Sequence, residues 1–338
     1  MQVQTVARLR GPREIGPEQI ELPTCGPDDI ILGVVACGIC GTDLSMYKEG
    51  PSLPGAILGH EFVGRIDQVG GNIGSLTVGQ RVVVNPMHNG LGLGRTPGAF
   101  ARQVRVTKPV LDESIFALPD ELDDDQGALV EPFSVALHAI NNGRVDASDR
   151  AVVFGAGTIG LCVVAGLRAR GVQDILVIDP SELRRNIATK LGASAVLDPR
   201  DGDAIEFIAD HFGQDTLSFG GDLRLSKATV AFDCAGARIV PKQAIHALAP
   251  RGRLVLVADP HDIPLDDLRL VMLRELTVVG ALAYDLEFSE AITLLASRAV
   301  DLKPLITHRF ALTDIAKAFE VQLDASASIK VIIDPVPG

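Results

Sequence analysis

The 338 residues, 47% of them hydrophobic and with a formal net charge of -12, are too many for one core at ~150 residues per domain and point to two. An acidic chain with no tryptophan and two tyrosines has neither the basic face nor the aromatic platforms of a nucleic-acid binder, which excludes that class. Five cysteines in so long a chain make no disulfide framework. No signal-like apolar run opens "MQVQTVARLRGPREI", and the most membrane-like segment, Ala151 to Leu167, is too short and too glycine-rich to span a bilayer. A cytoplasmic protein is the expectation, with no membrane partner.

In chain order, the first third reads as short strands. "QIELP", "DIILGVVAC", "EFVGRIDQVG" and "QRVVVNP" are brief apolar or alternating runs bounded by Gly, Pro and Asp. From about residue 151 the texture changes. "RAVVFGAG", "DILVIDP", "SAVLDP", "TVAFDCAG", "GRLVLVAD" and "LTVVGAL" are continuous apolar strands, and segments of helical periodicity such as "SELRRNIATKLGA" separate most of them. That pattern predicts a parallel sheet covered on both faces, in the α/β class and doubly wound. After Tyr284 come two helical segments and a last strand, "SIKVIIDP". One strand cannot form a domain, so this tail is expected to return to the N-terminal sheet.

Two places carry chemistry. Gly155, Gly157 and Gly160 form G-x-G-x-x-G between a strand and a helix, and Asp179 ends the following strand. This is the dinucleotide fingerprint in its required context. The helix N-terminus, with Thr158 and Ile159, is read as the pyrophosphate site. A carboxylate at Asp179 accepts from ribose hydroxyls and repels a 2′-phosphate, which favours NAD over NADP. Arg184 and Arg185 follow within a turn, and Arg184 joins the cofactor-binding set.

The second place is "CGICGTD", followed by a Gly-His-Glu. Cys37 and Cys40 are not placed as a thioredoxin-like dithiol, and no second ligand pair lies near enough for a zinc finger. Catalytic zinc takes three protein ligands and leaves a position open. Cys40, His60 and Glu61 can supply them if a turn brings the segments together.

At this point the chain resembles the medium-chain, zinc-dependent alcohol and polyol dehydrogenases, in the branch of sorbitol, threonine and sugar dehydrogenases. "GHEFVGRIDQVGGNI" fits that family's metal signature, "CGICGTD" its first-ligand segment, and "LVEPFSVALHA" the segment of its third metal-site position, here Glu131. The resemblance covers essentially the whole chain. It implies a mostly-β GroES-like catalytic domain at 1–134 and 286–338 and a Rossmann domain at 135–285. It makes Cys40 a ligand and Cys37 a strand residue, and implies hydride transfer between a secondary alcohol and NAD at one catalytic zinc. Glu61 is either a ligand or an exchanging base, and Glu131 either a metal-site residue or an ordinary helix N-terminal carboxylate. Charge alone argues that no more than one of the two ligates at a time, since both would over-neutralise the ion.

Thr42 matches the hydroxyl that relays the alcohol proton, whereas Ser45 stands where many relatives carry a histidine base. The four-cysteine lobe of most relatives is missing, since only "MHNGLGLGRT" lies between Pro86 and "PGAF". The structural zinc is therefore expected to be absent. Met46, Tyr47 and residues 86–98 are the expected substrate wall. The other histidines, His88, His138, His211, His246, His261 and His308, and Cys25, Cys162 and Cys234, are read as structural or exposed. A homodimer or homotetramer is expected, with "LTVVGAL" a candidate pairing edge, although its apolar character would equally suit a buried strand. The rival readings are a zinc-free quinone or enoyl reductase of the same superfamily, which lacks the Cys40, His60 and Glu61 set, and a non-catalytic NAD-binding protein.

Overall fold

The computed structural model describes residues 2–218, 222–258 and 268–335. The chain forms two compact units, residues Met1–Glu131 with Phe288–Gly338, and Pro132–Glu287.

The first unit is built on a seven-stranded sheet whose hub is the strand Asp29–Gly38. Its run of Ile, Leu, Val and Ala is buried on both faces, as a central strand requires. It pairs antiparallel with Glu61–Val69, with Gln103–Thr107 and, at Cys37 and Gly38, with the final strand Lys330–Asp334. The C-terminal tail thus lays a strand beside the segment that leads into Cys40. Its helix Ile315–Leu323 sets Phe319 into the core, with ring centroids 4.9 Å from Tyr47 and 5.8 Å from Phe100.

The second unit is a six-stranded, wholly parallel sheet. Its spatial order is Ala195–Leu197, Asp174–Ile178, Arg150–Phe154, Ala228–Asp233, Leu248–Leu256, Thr277–Gly280. All six apolar runs lie in it, and in chain order the strands stand 3-2-1-4-5-6. The order reverses between Arg150–Phe154 and Ala228–Asp233, and that switch point is where such sheets bind dinucleotides. An antiparallel hairpin, Gln214–Ser218 with Asp222–Ser226, precedes the fourth strand and was not foreseen.

Candidate metal centre and cofactor turn

Cys40 sits where the central strand ends and the helix Gly41–Glu49 begins. As the N-cap it has extended backbone, and its Sγ accepts the Thr42 backbone N–H at 3.4 Å. The sulfur thus satisfies a helix donor that would otherwise be an orphan, at the positive end of the helix dipole. The capping box is completed by Asp43, whose Oδ2 accepts the Cys40 N–H at 2.9 Å. The other oxygen of Asp43 faces His60 Nδ1 at 3.6 Å, and both atoms are buried without a hydrogen-bond partner.

His60 ends the turn before the strand Glu61–Val69 and is 4% exposed. Its side chain lies beside Cys40 and within reach of the charge on Glu131. Burial alone would push the imidazolium down, but Asp43, Cys40 and Glu131 together outweigh it and hold the His60 pKa well above the usual histidine range. Glu131 is buried in the first turn of the helix Val130–Asn142. Cys37, by contrast, is a fully buried strand thiol, pushed up by burial and then by Asp43 and Glu61. It stays a neutral core residue.

Glu61 points elsewhere. Its carboxylate forms a fully buried ion pair with Lys330, whose Nζ also donates to the Ile39 carbonyl at 3.0 Å. Desolvation would lower the Lys330 pKa, but Glu61, Cys40 and Glu131 overcome it and raise it. Lys330 therefore ties the residue before Cys40 to the residue after His60. Among the described residues no three His, Cys, Asp or Glu side chains are already closed around one point. The donor chemistry nevertheless fits a divalent cation: Asp43, Glu61, Glu131 and the Cys40 sulfur share one buried region with a single lysine and one imidazole. His60 Nδ1 and Asp43 Oδ1, unpaired and facing, are arranged as a carboxylate that orients a ligating histidine.

Sequence reasoning missed Asp43 and Lys330. Each had a signal: Asp43 is the third residue of a helix capped by Cys40, and Lys330 is a lone cation inside an apolar strand, "IKVII". The substrate-wall expectation needs a correction at Tyr47. Its ring is buried against Phe319 and its hydroxyl donates to Glu320 at 2.8 Å, so it is a core residue. Met46 is half-buried, with its sulfur against Gly94 of the 86–98 loop. Thr42 and Ser45 are exposed, and Ser45 Oγ donates to the Gly41 carbonyl at 3.3 Å. Of the remaining histidines, His138 binds Glu287 at 3.0 Å, and His261 lies outside the described residues.

In the second unit, Gly155 follows the first strand with φ +88, a left-handed turn that a side chain would strain. A Cβ at Gly155 would also sit 2.8 Å from the Ala235 backbone, across the switch point. Gly160 lets the helix Thr158–Ala169 lie directly on the Gly155 carbonyl. Gly157 is the N-cap and brings no side chain to the first turn, where Thr158 and Ile159 stand. Asp179 is 4% exposed, with Oδ2 accepting the Ala156 N–H and Oδ1 the Ser181 N–H, both at 2.7 Å. It braces the glycine turn and keeps further lone pairs for a ligand. The Arg184 guanidinium lies 3.8 Å from the Cβ position of Gly157, at the mouth of the same turn. Arg185 turns away to the Asp179 carbonyl and the Asp198 carboxylate.

Residues 26–115 match the alcohol dehydrogenase GroES-like domain, and residues 158–297 match the zinc-binding dehydrogenase domain. (R,R)-butanediol dehydrogenase of Bacillus subtilis (strain 168) is 32% identical over 97% of this chain and 99% of its own length. Its crystal structure superposes with a TM-score of 0.85 at 31% identity, covering 98% of this chain and all of that one. The chain belongs to the zinc-type medium-chain alcohol and polyol dehydrogenase family. Human sorbitol dehydrogenase is 30% identical over 92% of this chain and 90% of its own. A zinc-binding dehydrogenase from Sinorhizobium meliloti, solved bound to NADP, superposes with a TM-score of 0.85 at 27% identity, over 99% of this chain and all of that one. As a member of this family the chain is an oxidoreductase acting on the CH–OH group of small-molecule alcohols with a nicotinamide cofactor, and its two units correspond to a GroES-like and a Rossmann domain. No described helix is long and apolar enough to cross a membrane.

Proposed function

We propose that this dehydrogenase oxidises a secondary alcohol of the polyol, sugar or vicinal-diol class to the ketone, reversibly and with NAD. The supporting observation is the buried contact of His60 with Cys40, with His60 Nδ1 turned to Asp43. Cys40, His60 and Glu131 would hold one zinc ion, while Lys330 keeps Glu61 engaged away from it. That division satisfies the charge argument, because a thiolate and one carboxylate neutralise a divalent ion and a second carboxylate would weaken it as an acid. Bound zinc supplies Lewis acidity that lowers the pKa of an alcohol towards neutrality. Asp43 fixes the His60 ring and the Cys40 backbone together. The Thr42 hydroxyl accepts the alcohol proton and passes one on. Ser45 cannot take it as a base near neutral pH, so the proton leaves by ribose hydroxyls and water, or by way of Glu131.

Asp179 would select NAD by repelling a 2′-phosphate, and Arg184, at the mouth of the glycine turn, would serve the phosphates of the bound cofactor rather than reverse that choice. One zinc per chain is proposed, because the 86–98 loop has no cysteine, closes on itself through Thr96 Oγ1 to the Asn89 carbonyl at 2.7 Å, and is tied to the strand Gln103–Thr107 by Asn89 Nδ2 to the Thr107 carbonyl at 2.8 Å. A reducing cytoplasm suits a working thiolate at Cys40. The names of the relatives, butanediol and sorbitol dehydrogenase, support the substrate class.

The test is NADH formation over linear polyols, aldoses, inositols, vicinal diols and simple secondary alcohols, with NADP in parallel, before and after chelation. Turnover of at least one secondary alcohol, its loss on chelation and recovery with zinc, and one zinc per chain are expected. Metal-free turnover, or a Cys40→Ser variant as active as the parent, refutes the reading.

A further inference from the structure

We infer that the short glycine loop at residues 86–98 is a backbone brace for the His60 turn, with Gly92 and Gly98 as positioning residues for the metal centre. This rests on the proposed zinc reading and extends it to residues that bear no ligand atom.

The observation is a contact of backbone on backbone. A Cβ at Gly92 would overlap the Gly59 carbonyl oxygen, lying 2.6 Å from the Gly59 carbonyl carbon and 3.2 Å from the His60 nitrogen. A Cβ at Gly98 would lie 2.5 Å from that same oxygen and 2.6 Å from the Leu58 carbonyl oxygen. Hydrogen bonds draw the same pieces together: the N–H groups of Gly98, Ala99 and Phe100 donate to the carbonyls of Ile57, Gly59 and Leu58 at 2.9, 2.8 and 3.0 Å. Behind the turn, a Cβ at Gly59 would meet the Phe100 nitrogen at 2.8 Å and the Cys37 sulfur at 2.9 Å. The peptide leading into His60 is thus held from two sides, by the bare backbone of Gly92 and Gly98 on one and by Phe100 and the Cys37 side chain on the other.

The loop is itself stiff at this point. Gly92 N–H donates to the Thr96 carbonyl at 2.9 Å, Thr96 Oγ1 anchors to Asn89, and Leu91 is 1% exposed. A methyl set 2.6 Å from the Gly59 carbonyl carbon is closer than real Cβ contacts come, and what it meets is well-packed backbone rather than the end of a flexible side chain, so backbone must shift. A methyl at Gly92 must therefore move the Gly59–His60 peptide, and with it the imidazole that meets Cys40.

A control lies two residues away. Gly90 also has a positive φ, +63 against +74 at Gly92, yet a Cβ there meets nothing within 4 Å. Gly90→Ala also puts a side chain at a positive φ in the same loop, without the contact. The experiment measures zinc affinity by chelator competition and the visible absorption of the cobalt-substituted protein, for the parent and the G92A, G90A and T96V variants. For G92A, zinc affinity is expected to fall by about tenfold or more, the range seen when groups supporting a ligand are lost, with a changed cobalt spectrum. G90A keeps the parent's affinity and spectrum. T96V, which loosens the loop without adding an atom near His60, weakens zinc by about threefold or more and decides the matter if G92A does not fold.

Unchanged affinity in folded G92A, an equal loss in G90A, or unchanged affinity in T96V when G92A is not folded, overturns the brace while leaving the zinc reading intact. A parent protein that binds no stoichiometric zinc or cobalt overturns both, and so tells the two failures apart.

Discussion

Lys330 holds two partners that lie far apart in sequence, the Ile39 carbonyl and the Glu61 carboxylate, in a place where it and Glu61 are 2% and 1% exposed. A buried pair of this kind adds little net stability over an apolar pair, but losing one partner strands the other charge. Lys330→Met is therefore expected to destabilise the metal-free protein by ~3–5 kcal/mol, and the double variant Lys330→Met with Glu61→Gln to recover most of that loss. Denaturant unfolding of the four members of the cycle measures it; additive losses would show that the two side chains do not act as a pair. Ser45 offers a second case at this scale. A histidine there brings a base of pKa ~6.5 to an exposed helix position. The Ser45→His variant should raise turnover severalfold between about pH 6.5 and 7.5, where general-base help counts most. A kcat profile unchanged over that range would mean that Ser45 is off the proton's route.

The helix Val130–Asn142 carries Glu131 at its start and His138 further along, and His138 Nδ1 contacts the Glu287 carboxylate at 3.0 Å. Glu287 also accepts from Asn141 Nδ2 at 3.1 Å and from the Asp285 N–H at 2.7 Å. Burial would raise its pKa, but these hydrogen bonds from Asp285, His138 and Asn141 lower it below the usual glutamate value. A carboxylate lowered on folding stabilises the fold above its unfolded pKa of ~4.3 and loses that contribution as pH falls through the folded value. Glu287→Gln should lower the melting temperature at pH 7, and the gap to the parent should hold down to about pH 4 and close only as pH falls below it, through the lowered folded pKa. A gap constant with pH would assign the loss to packing instead. At the level of elements, the sequence was most legible where one signal sufficed. The six parallel strands announced themselves as unbroken apolar runs, and the glycine turn by its spacing to Asp179. The hairpin around residues 214–226 was overlooked although its sequence alternates about a Gly-Gly pair, because it interrupts an expected strand–helix rhythm. The metal centre was legible only in part. Its candidate donors stand in motifs, but that Glu61 is engaged by Lys330, some 270 residues away in the chain, is a pairing no local pattern reports.

At the scale of the whole molecule the open question is association, and the parallel sheet bears on it. Among the described residues its last strand, Thr277–Gly280, pairs with Leu248–Leu256 alone, and no described strand covers its other edge. Around it Val278 is 43% exposed, Met272 67%, Leu286 83% and Leu282 86%. Soluble monomers blunt such edges with lysine, proline or a covering segment, and "LTVVGAL" contains no charge. Pairing the same strand across a two-fold axis would satisfy the backbone and bury the leucines in one step, with each copy offering the same patch. The parent is therefore expected to sediment as a dimer or a multiple of one. Val278→Lys with Leu282→Lys adds four charges at the centre of a dimer interface and should shift sedimentation to a single chain at micromolar concentration, with nicotinamide-cofactor binding kept because the glycine turn lies at another strand. A parent that sediments as one chain, or a doubly substituted protein that remains paired, would leave this edge without a partner and move the search for an interface elsewhere on the surface.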